Sequence, residues 1–238
     1  MADDARVMLL QGREVQVRWR INRRARRIGL RIDPAGDGVQ VTLPARASQK
    51  AGLAFLEAQA GWVLNSLDSL PRRVPFVPGT ELPLLGRILT LSHIPEARRG
   101  VWREEDRLLV SGDSAHFPRR VADWLRGEAR REITARVTGK AALLAAQDRP
   151  GRPVRRVSVR DTRTRWGSCS PSGDLSFSWR LLLAPPDVLD YVVAHEVAHL
   201  AEMNHGPRFW ALCEALAEET KGPRRWLRKH GSSLHRYG

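Results

Sequence analysis

Asp190-Tyr191-Val192-Val193-Ala194-His195-Glu196-Val197-Ala198-His199-Leu200 is the stretch on which the fold turns. With Val188-Leu189 ahead of it, the run is apolar and predicts a helix from about Asp187 to Met203. Histidines at positions i and i+4 lie one turn apart on the same helix face. Both imidazoles can then reach one metal ion at roughly 2.0–2.1 Å. Glu196 stands beside that face, where its carboxylate can accept a proton from water without being a ligand. Ionisable groups inside an apolar helix need such a reason, because burying them unpaired is costly. The plainer alternative is a pair of core histidines satisfied by their neighbours.

The next residues supply a third candidate ligand. In a straight helix His205 would sit about 15 Å along the axis from His195, too far to share an ion. Asn204-His205-Gly206-Pro207 carries stop signals, however. Asn204 and Gly206 tolerate a left-handed conformation, and Pro207 cannot continue the ladder. A reversal there returns His205 to the site. The spacing matches the long motif H-E-x-x-H-x-x-G-x-x-H, except that Glu202 replaces the glycine, so the turn is expected at Asn204 or later. Glu202, Glu214, Glu218 and Glu219 compete for the same position, and His205 has a simpler use as a cation at a helix C-terminus. The expected metal set is His195, His199 and His205, with Glu196 as catalyst. Imidazole ligands and an open fourth position favour Zn2+ and hydrolysis over a closed structural site.

Working outward, Pro185-Pro186 precedes this helix, and another is expected from about Arg208 to Thr220, followed by a basic tail. Val157-Val159 and Leu175-Phe177-Trp179 read as strands, and Val121 to Leu144 as one long helix ended by Asp148-Arg149-Pro150-Gly151. Toward the N-terminus, Val15-Val17-Trp19-Ile21, Ile28-Leu30-Ile32 and Val39-Val41-Leu43 alternate with the strand period. With turn chemistry at Pro34-Ala35-Gly36-Asp37-Gly38 they predict an antiparallel meander. Ser48 is a candidate cap for one helix through Leu53, Leu56, Ala60, Val63 and Leu67, which Pro71 to Pro78 ends. Strand-like runs over Leu82–Leu91 and a hairpin around Glu104-Glu105-Asp106 follow. The expected class is α+β: an N-terminal antiparallel β-rich region over 1–112, then a small catalytic domain over 113–238 with a short antiparallel sheet. No internal repeat is visible.

The chain has 238 residues and a formal charge of +14. That charge attracts polyanions: nucleic acid, acidic protein or phosphorylated small molecules. No apolar run reaches the roughly 18 residues of a membrane span, and Met1–Arg13 does not read as a signal peptide. Two cysteines, Cys169 and Cys213, make no disulfide framework and suit a reducing cytoplasm.

Thr164-Arg165-Trp166-Gly167-Ser168-Cys169-Ser170 is the second stretch with chemical content. Placed beside the metal, its hairpin lets the Leu175–Trp179 strand offer an edge to an extended peptide. Arg165 can steady a carboxylate or an oxyanion, and Cys169 is a more distant candidate for the metal. These two stretches, with Arg23-Arg24-Ala25-Arg26-Arg27 and Met203-Asn204-His205-Gly206-Pro207-Arg208-Phe209-Trp210, resemble the YgjP-like metallopeptidase-domain family, relatives of the SprT and WLM zinc proteases. The resemblance implies a gluzincin-like core with three histidine ligands, Glu196 as catalyst and a polypeptide substrate. Ser176-Phe177-Ser178-Trp179 departs from relatives that often carry an asparagine there. His230, His235 and Tyr191 are candidates to stabilise an oxyanion.

Two alternatives keep the zinc. Arginines of the N-terminal region suit a nucleoside triphosphate phosphohydrolase, although no glycine-rich phosphate loop is present. Arg18, Arg20, Arg23, Arg24, Arg26, Arg27 and Arg31 can equally form a stripe along the meander, as in a protease acting on DNA-associated proteins.

Overall fold

Strand β1 (Asp4–Leu10) and strand β2 (Arg13–Ile21) form a hairpin in the computed structural model, which describes residues 4–33, 38–69, 72–147 and 151–238. Its turn, Gln11-Gly12, has φ of 48° and 83°, the left-handed pair that matches strand twist. Strands β3 (Gly29–Ile32) and β4 (Val39–Leu43) form a second antiparallel pair. The sheet order is β1-β2-β4-β3, and β2 runs parallel to β4. The expected meander is therefore rearranged, with β4 rather than β3 beside β2. The more apolar strand takes the centre: Val39, Val41 and Leu43 are buried, whereas no residue of β3 is fully buried. Helix α1 (Gln49–Ala58) starts at Ser48, whose Oγ accepts from the Ala51 amide at 3.2 Å. The single expected helix breaks at Gln59 into α1 and α2 (Ala60–Asp68). Leu56 and Val63 join Val15, Val17 and the β4 residues in one core.

Strands β5 (Glu81–Leu84), β6 (Arg87–Ile94), β7 (Val101–Glu104) and β8 (Arg107–Ser111) repeat that topology. Their order is β5-β6-β8-β7, with β6 parallel to β8. The first hairpin again turns on a left-handed pair, Leu85-Gly86, with φ of 47° and 81°. Ala25-Arg26-Arg27 and Ala97-Arg98-Arg99 occupy the corresponding connections. The repeat is one of topology and escapes sequence inspection because few side chains match.

Helix α3 (Phe117–Ala145) buries Phe117, Val121, Leu125, Ala129, Ile133, Val137 and Leu144 at helical spacing. These residues share one core with Leu89, Leu108 and Val110 of the second sheet. That continuity is why the two compact units are Met1–Arg73 and Val74–Gly238, rather than divided near residue 112 as expected. Strands β9 (Arg156–Arg160), β10 (Gly167–Cys169) and β11 (Asp174–Ser178) follow, in the order β10-β11-β9. β10 pairs antiparallel and β9 parallel to β11, so this short sheet is mixed. Helices α4 (Pro186–Ala198), α5 (Pro207–Leu216) and α6 (Lys221–His230) complete the unit. The basic tail thus forms a helix, and the class is α+β as expected. The expected turn at Pro34–Asp37 and the stop at Asp148–Pro150 lie outside the described residues. Among the described residues no helix is long and apolar enough to cross a membrane.

Candidate metal centre

Helix α4 is buried along most of its length, with Val188, Leu189, Val192, Val193, Ala194, Val197 and Ala198 all in the core. The buried Lys140 of α3 anchors it: Nζ pairs with Asp190 at 2.8 Å and donates to the Leu216 carbonyl at 2.6 Å. The helix ends at Ala198, short of the expected Met203. Tighter bonds close the chain there, Leu200 N to Val197 O at 3.0 Å and Ala201 N to Ala198 O at 3.1 Å. The Leu200 carbonyl is taken by Arg152, through its amide at 3.0 Å and Nε at 3.3 Å.

Among the described residues, neither Glu202 nor Asn204 has a positive φ, and Gly206 sits at −81°. The reversal therefore runs without the left-handed residue that the long motif places at position 202, which is why a glutamate is tolerated there. The Glu202 backbone has a further use. Its carbonyl lies 2.9 Å from His199 Nδ1, and a proton on that nitrogen leaves Nε2 free as a ligand.

The early turn brings His205 back. Ligand atoms of His195, His199 and His205 lie within 4.8 Å of one another, and the Nε2 atoms of His195 and His205 are 3.1 Å apart. Two nitrogens bound to one tetrahedral zinc at 2.0–2.1 Å stand roughly 3.3 Å apart. The donor set and its spacing thus fit Zn2+. None of the competing glutamates joins this cluster among the described residues, and neither does Cys169. Burial, with Glu196 nearby, pushes the Cys169 thiol up to about 11, so it is not a thiolate near neutral pH. Burial, with the charges of His199, His205 and Arg224, pushes His195 down to about 4 and keeps it in the neutral form that a metal requires. Among the described residues His195 Nδ1 is buried without a hydrogen-bond partner, so packing holds this ring.

Phe209 supplies much of that packing. It is fully buried, and its ring centroid lies 4.9, 4.5 and 4.7 Å from those of His195, His199 and His205. Trp210 donates from Nε1 to the His205 carbonyl at 3.1 Å, tying the loop to α5.

Glu196 is 6% exposed, and burial pushes its carboxyl up to about 7 against the opposing charge of Arg165. A carboxyl titrating near neutrality can both accept and return a proton. It rests on Gly167: a Cβ there would stand 2.5 Å from both Cγ and Oε1 of Glu196. The expected strand edge is therefore β10 itself, because the Leu175–Trp179 run supplies the central strand β11. Among the expected oxyanion candidates, Tyr191 contacts a metal-site residue, its ring 5.9 Å from that of His195. His235 stacks on Trp166 at 5.1 Å, and His230 packs on Trp226 at 5.3 Å. Arg224 was not foreseeable from spacing. It comes from α6 and lies 4.8 Å above the Trp210 ring, and its charge is felt at His195. The family described as YgjP-like, metallopeptidase domain, matches residues 26–230. No curated protein and no solved structure matches.

Proposed function

The chain belongs to the YgjP-like metallopeptidase-domain family, and from that premise we propose that it hydrolyses peptide bonds with His195, His199 and His205 as zinc ligands and Glu196 as proton carrier. The observation that carries this reading is one arrangement. Three imidazoles converge, and a buried carboxyl one residue from the first of them rests against an open strand edge. When bound, Zn2+ acidifies water and polarises a carbonyl. Glu196 takes the proton of the attacking water and delivers it to the leaving amine. Strand β10 holds the substrate extended by main-chain hydrogen bonds. Arg165, whose charge is felt at Glu196, and Tyr191, whose ring lies beside that of His195, are the candidates to stabilise negative charge on the carbonyl oxygen.

Family membership favours a peptide bond over a phosphoanhydride. A polyanion as second partner is supported by Arg20, Arg23, Arg24, Arg26, Arg27 and Arg31, all exposed in the first unit. Arg18 instead pairs with Asp33 at 3.1 Å. The free thiols of Cys169 and Cys213 suit the cytoplasm. The peptidase reading is tested with an unfolded polypeptide. The zinc-loaded chain should generate fragments, chelation should stop it, and restored zinc should revive it. Zinc-independent cleavage, or none at any zinc level, contradicts the reading.

A further inference from the structure

Strand β9 alternates Val157 and Val159 with Arg156, Ser158 and Arg160, and its neighbour β11 buries Leu175 and Phe177. Side chains alternate faces along a strand, so one face of the sheet enters the core and the other is polar. Register aligns Ser168, Ser176 and Ser158 in one row across all three strands of that polar face. Arg156 and Arg160 stand at one end of the row, and Arg165 precedes β10 at the other. Together they line a concavity of about 440 Å³. Among the described residues none of these three arginines stands in an ion pair with a carboxylate, although the charge of Arg156 is felt at Asp174 and that of Arg165 at Glu196. Asp174, also in the lining, is already held by Nε and Nη2 of Arg155.

We propose that this groove is a subsite for acidic side chains of the polypeptide substrate. The proposal rests on the peptidase reading for the path by which the chain arrives. A peptide paired along the free edge of β10 extends the sheet, and alternate side chains then project over the polar face. Carboxylates there meet Arg165 and Ser168 first, then the serine row and the two β9 arginines. Guanidinium groups and the hydroxyls of Ser168 and Ser176 are donors that carboxylates accept, whereas Ser158 gives its proton to the Leu175 carbonyl at 3.3 Å. Single-stranded nucleic acid fits less well, because among the described residues no aromatic ring lines the groove for a base to stack on. The formal charge of +14 attracts acidic chains from a distance.

Two fluorogenic peptides test the assignment, identical except that the acidic residues of one are amides in the other. The zinc-loaded full chain should cleave the acidic peptide with kcat/KM roughly tenfold higher, within reach of two or three exposed charge contacts. In the Arg156→Gln/Arg160→Gln variant, matched for zinc content and thermal transition, that ratio should fall to near one. A ratio near one in the wild type, or one the double variant leaves intact, overturns the subsite alone. A second readout needs no turnover. Fluorescence anisotropy of the acidic peptide on Glu196→Gln protein should show affinity that falls when both arginines are also replaced. If neither peptide is cleaved but that binding persists, the peptidase reading fails and the groove stands. If a single-stranded oligonucleotide depends on the two arginines and the acidic peptide does not, the groove serves nucleic acid and the proposal is wrong.

Discussion

Gly167 is small for a reason that lies 29 residues away in sequence, at Glu196. A methyl group at position 167 would displace the carboxylate, since the distance to its Cγ is 2.5 Å. Gly167→Ala should therefore lower kcat by about a hundredfold or more, the scale of losing a positioned proton carrier. Zinc content, read by atomic absorption, should stay at the wild-type level. Loss of metal together with rate would instead mean that the whole site had moved. Phe209 packs on the three proposed ligands rather than on the proposed proton carrier. Phe209→Ala should destabilise the protein by about 3–5 kcal/mol in denaturant melts and weaken zinc binding, because three imidazoles lose their shared support. The histidine and glutamate positions were legible because helical periodicity is local. Gly167 and Phe209 were not, because their roles depend on contacts between distant segments. Nothing in the neighbouring sequence marks Gly167 as the neighbour of a carboxylate or Phe209 as the support of three imidazoles.

At the scale of elements, α4 shows where local rules run out. Its apolar pattern continues beyond Ala198, but the carbonyl of Leu200 finds partners in Arg152, and the chain turns early. No sequence window contains both residues. The segment before β10 is fixed in a similar way. Asp161 binds Nε of Arg180 at 2.8 Å, and Arg180 Nη1 donates to the carbonyls of Leu234 and Tyr237 at 3.1 and 2.7 Å. That clamp joins the loop before Arg165 to the chain's last turn, whose His235 stacks on Trp166. Burial alone would raise the Asp161 carboxyl, but the hydrogen bonds from Arg180 outweigh it and hold the carboxyl below its ordinary value. A depressed carboxyl adds stability that is complete above its unfolded pKa and is lost as pH falls through the folded one. Asp161→Asn should thus cost about 1 kcal/mol at neutral pH, a modest figure because the side chain is 40% exposed. The gap from wild type should close in thermal melts taken below the carboxylate range. A deficit independent of pH would assign the loss to packing rather than charge.

For the whole molecule, composition indicated a polyanion-attracting chain but could not place a boundary. The second sheet resembles the first in topology, so a β-rich half seemed to end near residue 112. Its core is continuous with α3, and only the structure reveals that. All the proposed ligands and Glu196 belong to the unit Val74–Gly238, which has its own core. Residues 74–238 expressed alone should fold and bind one zinc per chain, checked by native mass spectrometry. An unfolded or zinc-free product would show that the first unit completes the site.

The most direct test of the account compares Glu196→Gln with wild type on an unfolded polypeptide, both loaded with zinc to the same measured content. Fragments are followed by mass spectrometry. Equal zinc occupancy and a loss of cleavage of about a hundredfold or more in the variant are expected. Undiminished cleavage by the zinc-loaded variant would contradict the role of Glu196, and with it the mechanism.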